Sequence, residues 1–277
     1  MSIQESAMLV TLSVSCWTAS KKDKKVSAEV EAAHNARDAG RYSKLLIDKA
    51  FLDPLTKHCG VIRAHHYRLT LPWLDNGARL LPAKLYMEYT QGLRKLQAEY
   101  ETLIDTFIHE YDTRLVTDAR LRLGTMYDPD DYPPGSDLRS KFGIETDITE
   151  VPSGSDFRVD IGDAERRRIA AQISERVERR QVDALTAAWA RVRELVDNLR
   201  VRLSDPKPII RDSHTDNLRD LAGLLPGLNI TNDPKLETAC QAITNTLLIS
   251  PDALRRSRST RMLAVKNAES ILNMCPS

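Results

Sequence analysis

Two runs of apolar residues, each with the alternating three-and-four spacing of a heptad, constrain this chain more than any other feature. In the first, Tyr89, Leu93, Leu96, Tyr100, Leu103 and Phe107 recur downstream of Pro82, a residue suited to the first position of a helix. The pattern then drifts through Tyr111, Leu115 and Ala119 before Gly124, a natural helix stop. In the second run, Val182, Leu185, Trp189, Val192, Val196, Leu199 and Leu203 follow the same spacing. Ile169, Ile173 and Val177 extend it backwards, with a phase slip near Arg180. Asp163 is the expected cap, Glu165 suits the positive first turn, and Pro206 and Pro208 are expected to end the helix. About 40 residues at ~1.5 Å each make a rod of roughly 60 Å. Two matching seams joined by one segment predict a mainly α fold. Its frame is a long, coiled-coil-like antiparallel helical hairpin with arms at residues 83–123 and 163–204.

The remaining segments are expected to decorate that hairpin. Residues 1–82 read as a mixed strand and short-helix segment of the base. Val10, Leu12, Val14 and Cys16 share one face of a strand, and Ser27 is the expected cap of a short helix. Lys21, Lys22, Lys24 and Lys25 read as a solvated turn, and Pro54 and Pro72 as breaks. Residues 124–162 form a tip insertion. It opens on proline-rich loop chemistry and then offers two alternating runs, Phe142 to Ile148 and Phe157 to Ile161, predicted to pair as a small β-hairpin. Residues 205–277 are expected to supply helices near 213–225, 233–249 and 251–274 that pack on the base.

Chemistry is sparse. The net charge of +1 gives no global attraction to nucleic acid. Aromatic residues are only 5% of the chain, which disfavours a β-sandwich. Cys16, Cys59, Cys240 and Cys275 are far apart in sequence, without CxxC spacing, and read as reduced cytosolic thiols. No apolar stretch is long enough to span a membrane as a helix, and no positively charged n-region precedes the apolar run 8–17. His58, Cys59, His65 and His66 match no zinc spacing, and their stretch reads as partly extended. Asp128, Asp130, Asp131 and Asp137 lack the pattern of an EF-hand loop. No metal or cofactor is expected. Phosphate-binding glycine loops, nucleophile elbows and metalloprotease signatures are missing from the sequence, so no catalytic residue is assigned and the chain is read as a non-enzyme.

Arginines crowd the second long helix, Arg191 among them, and interleaved carboxylates make them read as a solvated, ion-paired face. The sharper basic patch is Arg255, Arg256, Arg258 and Arg261, with Arg255, Arg258 and Arg261 near one face of a helix. It is the candidate contact for nucleic acid or an acidic partner.

The middle of the chain resembles an uncharacterised family of tailed-bacteriophage and prophage proteins. The resemblance rests on the run Leu71 to Pro82, the helix after it, Leu121-Arg122-Leu123-Gly124, Asp131-Tyr132-Pro133, Phe142, and Asp156-Phe157-Arg158-Val159. It covers residues 65–205. It implies two long helices flanking a small β element and a setting in the host bacterial cytoplasm, and it carries over no functional residue. Three functional readings follow. The first is an assembly protein that self-associates or binds a phage or host protein. The second is a nucleic-acid-binding accessory to phage replication, recombination or packaging. The third, a helical pore former, is disfavoured by Asp128, Asp130, Asp131, Glu145, Asp147 and Glu150 at the tip.

Overall fold

A computed structural model describes residues 2–74, 77–159, 161–205 and 209–276. The chain is mainly helical with a small antiparallel sheet. In chain order, α1 (Ile3–Ser6) leads into β1 (Ala7–Ser15) and β2 (Ser20–Lys22). Then come α2 (Lys24–Ala33), β3 (Ser43–Leu45), α3 (Lys49–Leu69), β4 (Leu71–Pro72) and β5 (Arg79–Pro82). A 3₁₀ turn opens α4 (Tyr86–Glu110), which continues through a π-helical turn, Tyr111–Leu115, into α5 (Val116–Leu123). Next are α6 (Gly135–Leu138), β6 (Gly143–Glu150) and the long α7 (Asp163–Ser204). Helices α8 (Asp212–Leu228), α9 (Pro234–Thr246), α10 (Pro251–Arg256) and α11 (Arg258–Leu272) complete the chain. Pro206 and Pro208, the expected stop of α7, lie outside the described residues.

The chain divides into two compact units. The first comprises Met1–Thr11, Tyr67–Tyr89 and Asp147–Ser277, and the second Leu12–His66 and Thr90–Thr146. In the first unit, α7 buries Ala184, Ala188, Trp189, Val192, Val196, Leu199 and Leu203. Helices α11 and α8 pack on it, and α9 packs on both of those. Trp189 Nε1 donates to Asp233 Oδ2 at 3.1 Å, pinning α7 to the residue that caps α9. The start of β1 pairs antiparallel with β5, which pairs antiparallel with β4.

In the second unit, α3 and α4 bury Leu55, Cys59, Ile62, Tyr100, Ile104 and Phe107. Trp17 and Phe142 each meet Phe107 edge-on, and Trp17 also meets Tyr111. The π-turn explains the drift of the first seam. Steps of four overshoot a turn of ~3.6 residues, and one wider i→i+5 turn takes up the excess. Tyr111, Leu115 and Ala119 all stay buried across it. The run ends at Gly124, whose φ of +53° lies in the left-handed region that favours glycine.

Several local expectations change. The tip hairpin is absent among the described residues: β6 forms, but its neighbour in the sheet order β4-β5-β1-β6 is β1, and residues 157–159 are irregular. β5 leaves one edge of β1 open, and that edge satisfies β6's backbone groups. Pro82 closes β5 and caps the 3₁₀ turn instead of opening α4. Gly162 caps α7, and Asp163 is its first residue. α2 is capped by Asp23, which accepts the Lys25 and Val26 amides at 3.1 Å, instead of by Ser27. The lysine run forms part of strand β2 and the start of α2. Pro54 is accommodated in α3, where it removes one donor near the helix start. The single helix expected at 251–274 breaks at Ser257, which caps α11 through a 3.2 Å bond from the Thr260 amide. In the second seam Val182 is 63% exposed, and Ala184 and Ala188 take its place. A strict heptad drifts around a straight helix, so the buried stripe rotates away from Val182. Leu96, Leu103 and Leu185 are half-buried, and Tyr89, Leu93, Tyr100, Phe107, Trp189, Val192, Val196 and Leu199 are buried.

Candidate functional site

The end of α3 sets up the most distinctive chemistry of the first unit. A helix C-terminus leaves backbone carbonyls without helical partners and carries partial negative charge. Here the carbonyls of Tyr67, Arg68 and Thr70 are met by one side chain from α7. Arg191 donates from Nη1 to the Arg68 oxygen at 2.9 Å and from Nη2 to the Tyr67 oxygen at 2.9 Å, with a further bond to the Thr70 oxygen.

A second guanidinium joins it. Arg79 opens β5, held by register opposite Val10 on one side and Pro72 on the other. Its Nε donates to Thr70 Oγ1 at 2.7 Å and its Nη2 to the Thr70 carbonyl at 3.2 Å. Its Cζ sits 4.8 Å from the centroid of the Tyr67 ring, a cation–π contact. The two guanidiniums therefore converge on one carbonyl. Burial pushes both below the usual arginine range. The Arg79 charge lowers Arg191 further, and Tyr67 partly opposes the shift on Arg79.

Among the described residues, neither guanidinium has a carboxylate within ion-pairing distance. Arg68 differs, since it pairs with Glu88 at 2.8 Å. Arg79 and Arg191 line a cavity of about 420 Å³. Leu195, Leu221 and Leu224 supply apolar wall, Asn217 is an exposed neutral polar group, and Glu194 and Asp220 also border it. Partly desolvated cations beside an aliphatic wall make a surface for an anionic head joined to an apolar body.

The sequence reading placed Arg191 on a solvated face and did not single out Arg79. What brings them together is the β4–β5 register and the packing of α7 on β4, neither visible in a linear pattern. The signal available in sequence was the arginine-rich α7, without a way to tell which arginine turns inward.

The sequence-predicted basic patch is largely engaged within the protein. Arg255 donates to the Ile210 carbonyl at 3.0 Å and pairs with Asp212 and Asp252. Arg261 donates to the carbonyls of Leu254 and Arg255 at 2.9 and 3.2 Å, satisfying the end of α10. Arg256 and Arg258 are left without partners among the described residues, so a nucleic-acid contact here would rest on two cations.

The metal candidates also find other roles. The stretch from His58 to His66 is helical, not extended. His58 Nε2 bonds the Leu96 carbonyl at 2.8 Å, and the His65 ring packs where a Cβ at Gly92 would sit 2.3 Å from it. Asp128 caps the turn that follows it, and Asp131 pairs with Lys21 and Lys44. No group of three or more His, Cys, Asp or Glu among the described residues is placed to hold a metal ion. No described helix is long and apolar enough to cross a membrane. The chain matches no protein-family model, no curated protein and no solved structure.

Proposed function

We propose that this chain is a non-enzymatic binding protein whose first unit takes a small amphipathic anion, a carboxylate or phosphate head on an aliphatic body. The observation that carries it is the pair Arg79 and Arg191, partly desolvated, side by side and, among the described residues, without a carboxylate partner, on the wall of an aliphatic cavity. Burying one cation beside another is unfavourable, and the carbonyls of α3 offset only part of that cost. An anion would complete the compensation. Glu194 and Asp220 restrict where its head can lie, so it must sit against the guanidiniums with its body on Leu195, Leu221 and Leu224.

The test is thermal unfolding with octanoate, octyl phosphate, octylamine and inorganic phosphate. A ligand at a hundredfold excess over its Kd stabilises by about 2.7 kcal/mol, and each kcal/mol raises Tm by about 2–4 °C at this size. Octanoate or octyl phosphate raises Tm saturably, and octylamine does not. Equal shifts with octylamine, or none with either amphipathic anion, would contradict the reading.

A second reading is the self-associating assembly role, in which the two long helices act as arms of one device in a phage-infected cell. The exposed apolar side chains Val201, Met262 and Leu263, on two helices that pack together, favour it. Sedimentation equilibrium decides: concentration-dependent association supports it, and a monomer at every concentration sinks it.

A further inference from the structure

The second unit brings together two cysteines that stand 43 positions apart in the sequence (59 − 16). Cys59 lies on α3 and is buried, whereas Cys16 is half-buried in the irregular stretch 16–19 that leaves β1. Three contacts hold the end of β1 against α3 and α4. Arg63 on α3 donates to the Val14 carbonyl at 3.0 Å. Tyr100 on α4 donates its hydroxyl to the Ser15 carbonyl at 2.8 Å. The Cys59 thiol donates to the same Tyr100 oxygen at 3.3 Å. The Cys16 thiol donates to the Trp17 carbonyl at 3.8 Å, and the backbone just before it is tied to Tyr100, which also holds Cys59. The other described cysteines are placed differently: Cys240 donates to the Ala222 carbonyl at 3.4 Å, and Cys275 to the Ile271 carbonyl at 3.7 Å.

We propose that Cys16 and Cys59 are a reversible dithiol–disulfide pair, a site of thiol–disulfide exchange with small disulfides. The groups facing Cys59 favour its anion. The neighbouring Cys16 and Tyr100 side chains and the charges of Arg63 and His58 bring it down to about 6 against the opposing effect of burial. Cys16 is pushed up, first by the neighbouring Cys59 and then by burial. The pair thus shares one proton near neutral pH, with the negative charge on the inner sulfur.

The chemistry follows from that asymmetry. Cys16 is the sulfur that a reagent can reach. As it attacks one sulfur of a disulfide RSSR, its proton passes to the Cys59 thiolate, which acts as the base. The Cys16–SR bond forms, and one RS⁻ leaves. Cys59 then loses its proton to solvent and attacks the Cys16 sulfur, expelling the second RS⁻ and forming the Cys16–Cys59 bond. One RS⁻ takes up that proton and the other takes one from solvent. The protein loses two electrons and the one proton the pair held, and RSSR becomes two RSH. Cys59 never has to meet the reagent, which fits its burial. Cys16, in an irregular segment, is the partner free to adjust to disulfide geometry.

The experiment uses the full chain with oxidised glutathione at neutral pH, read by intact mass and by non-reducing peptide mapping. The expected product is lighter by two hydrogen atoms, cross-linked between Cys16 and Cys59, and restored by dithiothreitol. Cys59→Ser is expected to accumulate one glutathione on Cys16. Cys16→Ser is expected to stay unmodified at Cys59. Circular dichroism confirms that both variants are folded, and the mapping of the unsubstituted protein stands whether or not they are. A linkage through Cys240 or Cys275, or no cross-link under conditions that modify Cys16 in Cys59→Ser, overturns the proposal. This inference is independent of the arginine cavity, and either can fail alone.

Discussion

At the scale of single residues, the buried pair in the second unit shows how charge is tolerated inside a helical protein. Lys44 and Asp131 are both buried. Lys44 pairs with Asp131, donates to the Met126 carbonyl at 2.8 Å and lies 3.9 Å from Asp23, while Lys21 reaches Asp131 from the exposed side. Burial pushes the Asp131 carboxyl up, but the bonds and charges of Lys21 and Lys44 outweigh it, and it titrates below the usual aspartate value. The sign for stability follows. A carboxyl depressed in the folded state contributes stability above its unfolded value, and that contribution is lost as pH falls through the folded one. Asp131→Asn removes this acid-side dependence and leaves Lys44 with Asp23, 3.9 Å away, as its carboxylate partner. We expect a loss of about 3–5 kcal/mol in urea unfolding. Lys44→Met combined with Asp131→Leu should cost less than Asp131→Asn alone, because no buried lysine remains. A double variant as unstable as the single one would show that the pair stabilises beyond mutual compensation. In the sequence, Asp131 looked like one of several loop carboxylates and Lys44 like any surface lysine. Neither partner is within fifty residues of the other, so local pattern had no access to the pair.

At the scale of elements, the long helices were the most legible part of the chain. The helical stretch 83–123 ends at its predicted glycine, and α7 spans Asp163–Ser204. The phase of the buried stripe was less legible, because spacing alone does not distinguish a supercoiled seam of period 3.5 from a straight helix of period 3.6. The structure favours the second on α7, with Ala188 wholly buried and Val182 exposed. Ala188→Leu therefore overpacks the core and should cost about 1–3 kcal/mol. Val182→Ala should stay within about 0.5 kcal/mol of the parent. Denaturant unfolding of the two variants separates the cases, and the opposite ranking would restore the heptad seam. The strand partner of β6 was illegible for a different reason. Residues 157–161 alternate as well as residues 142–148 do, but pairing depends on which edge is open, and the open edge belongs to β1, more than a hundred residues earlier.

At the scale of the whole molecule, both compact units are assembled from separated stretches of chain. This is why the candidate sites escaped a linear reading. The arginine cavity needs α3, β5, α7 and α8 together, and the dithiol needs the end of β1 with α3 and α4. The sequence patch at Arg255 to Arg261 was conspicuous because its residues are adjacent, yet two of its four cations serve the fold. The inward arginines are conspicuous only once burial and partners are known. The account's central claim is that Arg79 and Arg191 hold an anion. Its most direct measurement is calorimetric titration of octyl phosphate into the full chain and into Asn217→Glu, which adds a like-charged neighbour to the exposed lining of the cavity without touching the core. The account predicts saturable binding at one site per chain, weakened at least tenfold in the variant, about 1.4 kcal/mol. Unchanged binding by Asn217→Glu, or no saturable binding by the unsubstituted protein, would contradict it.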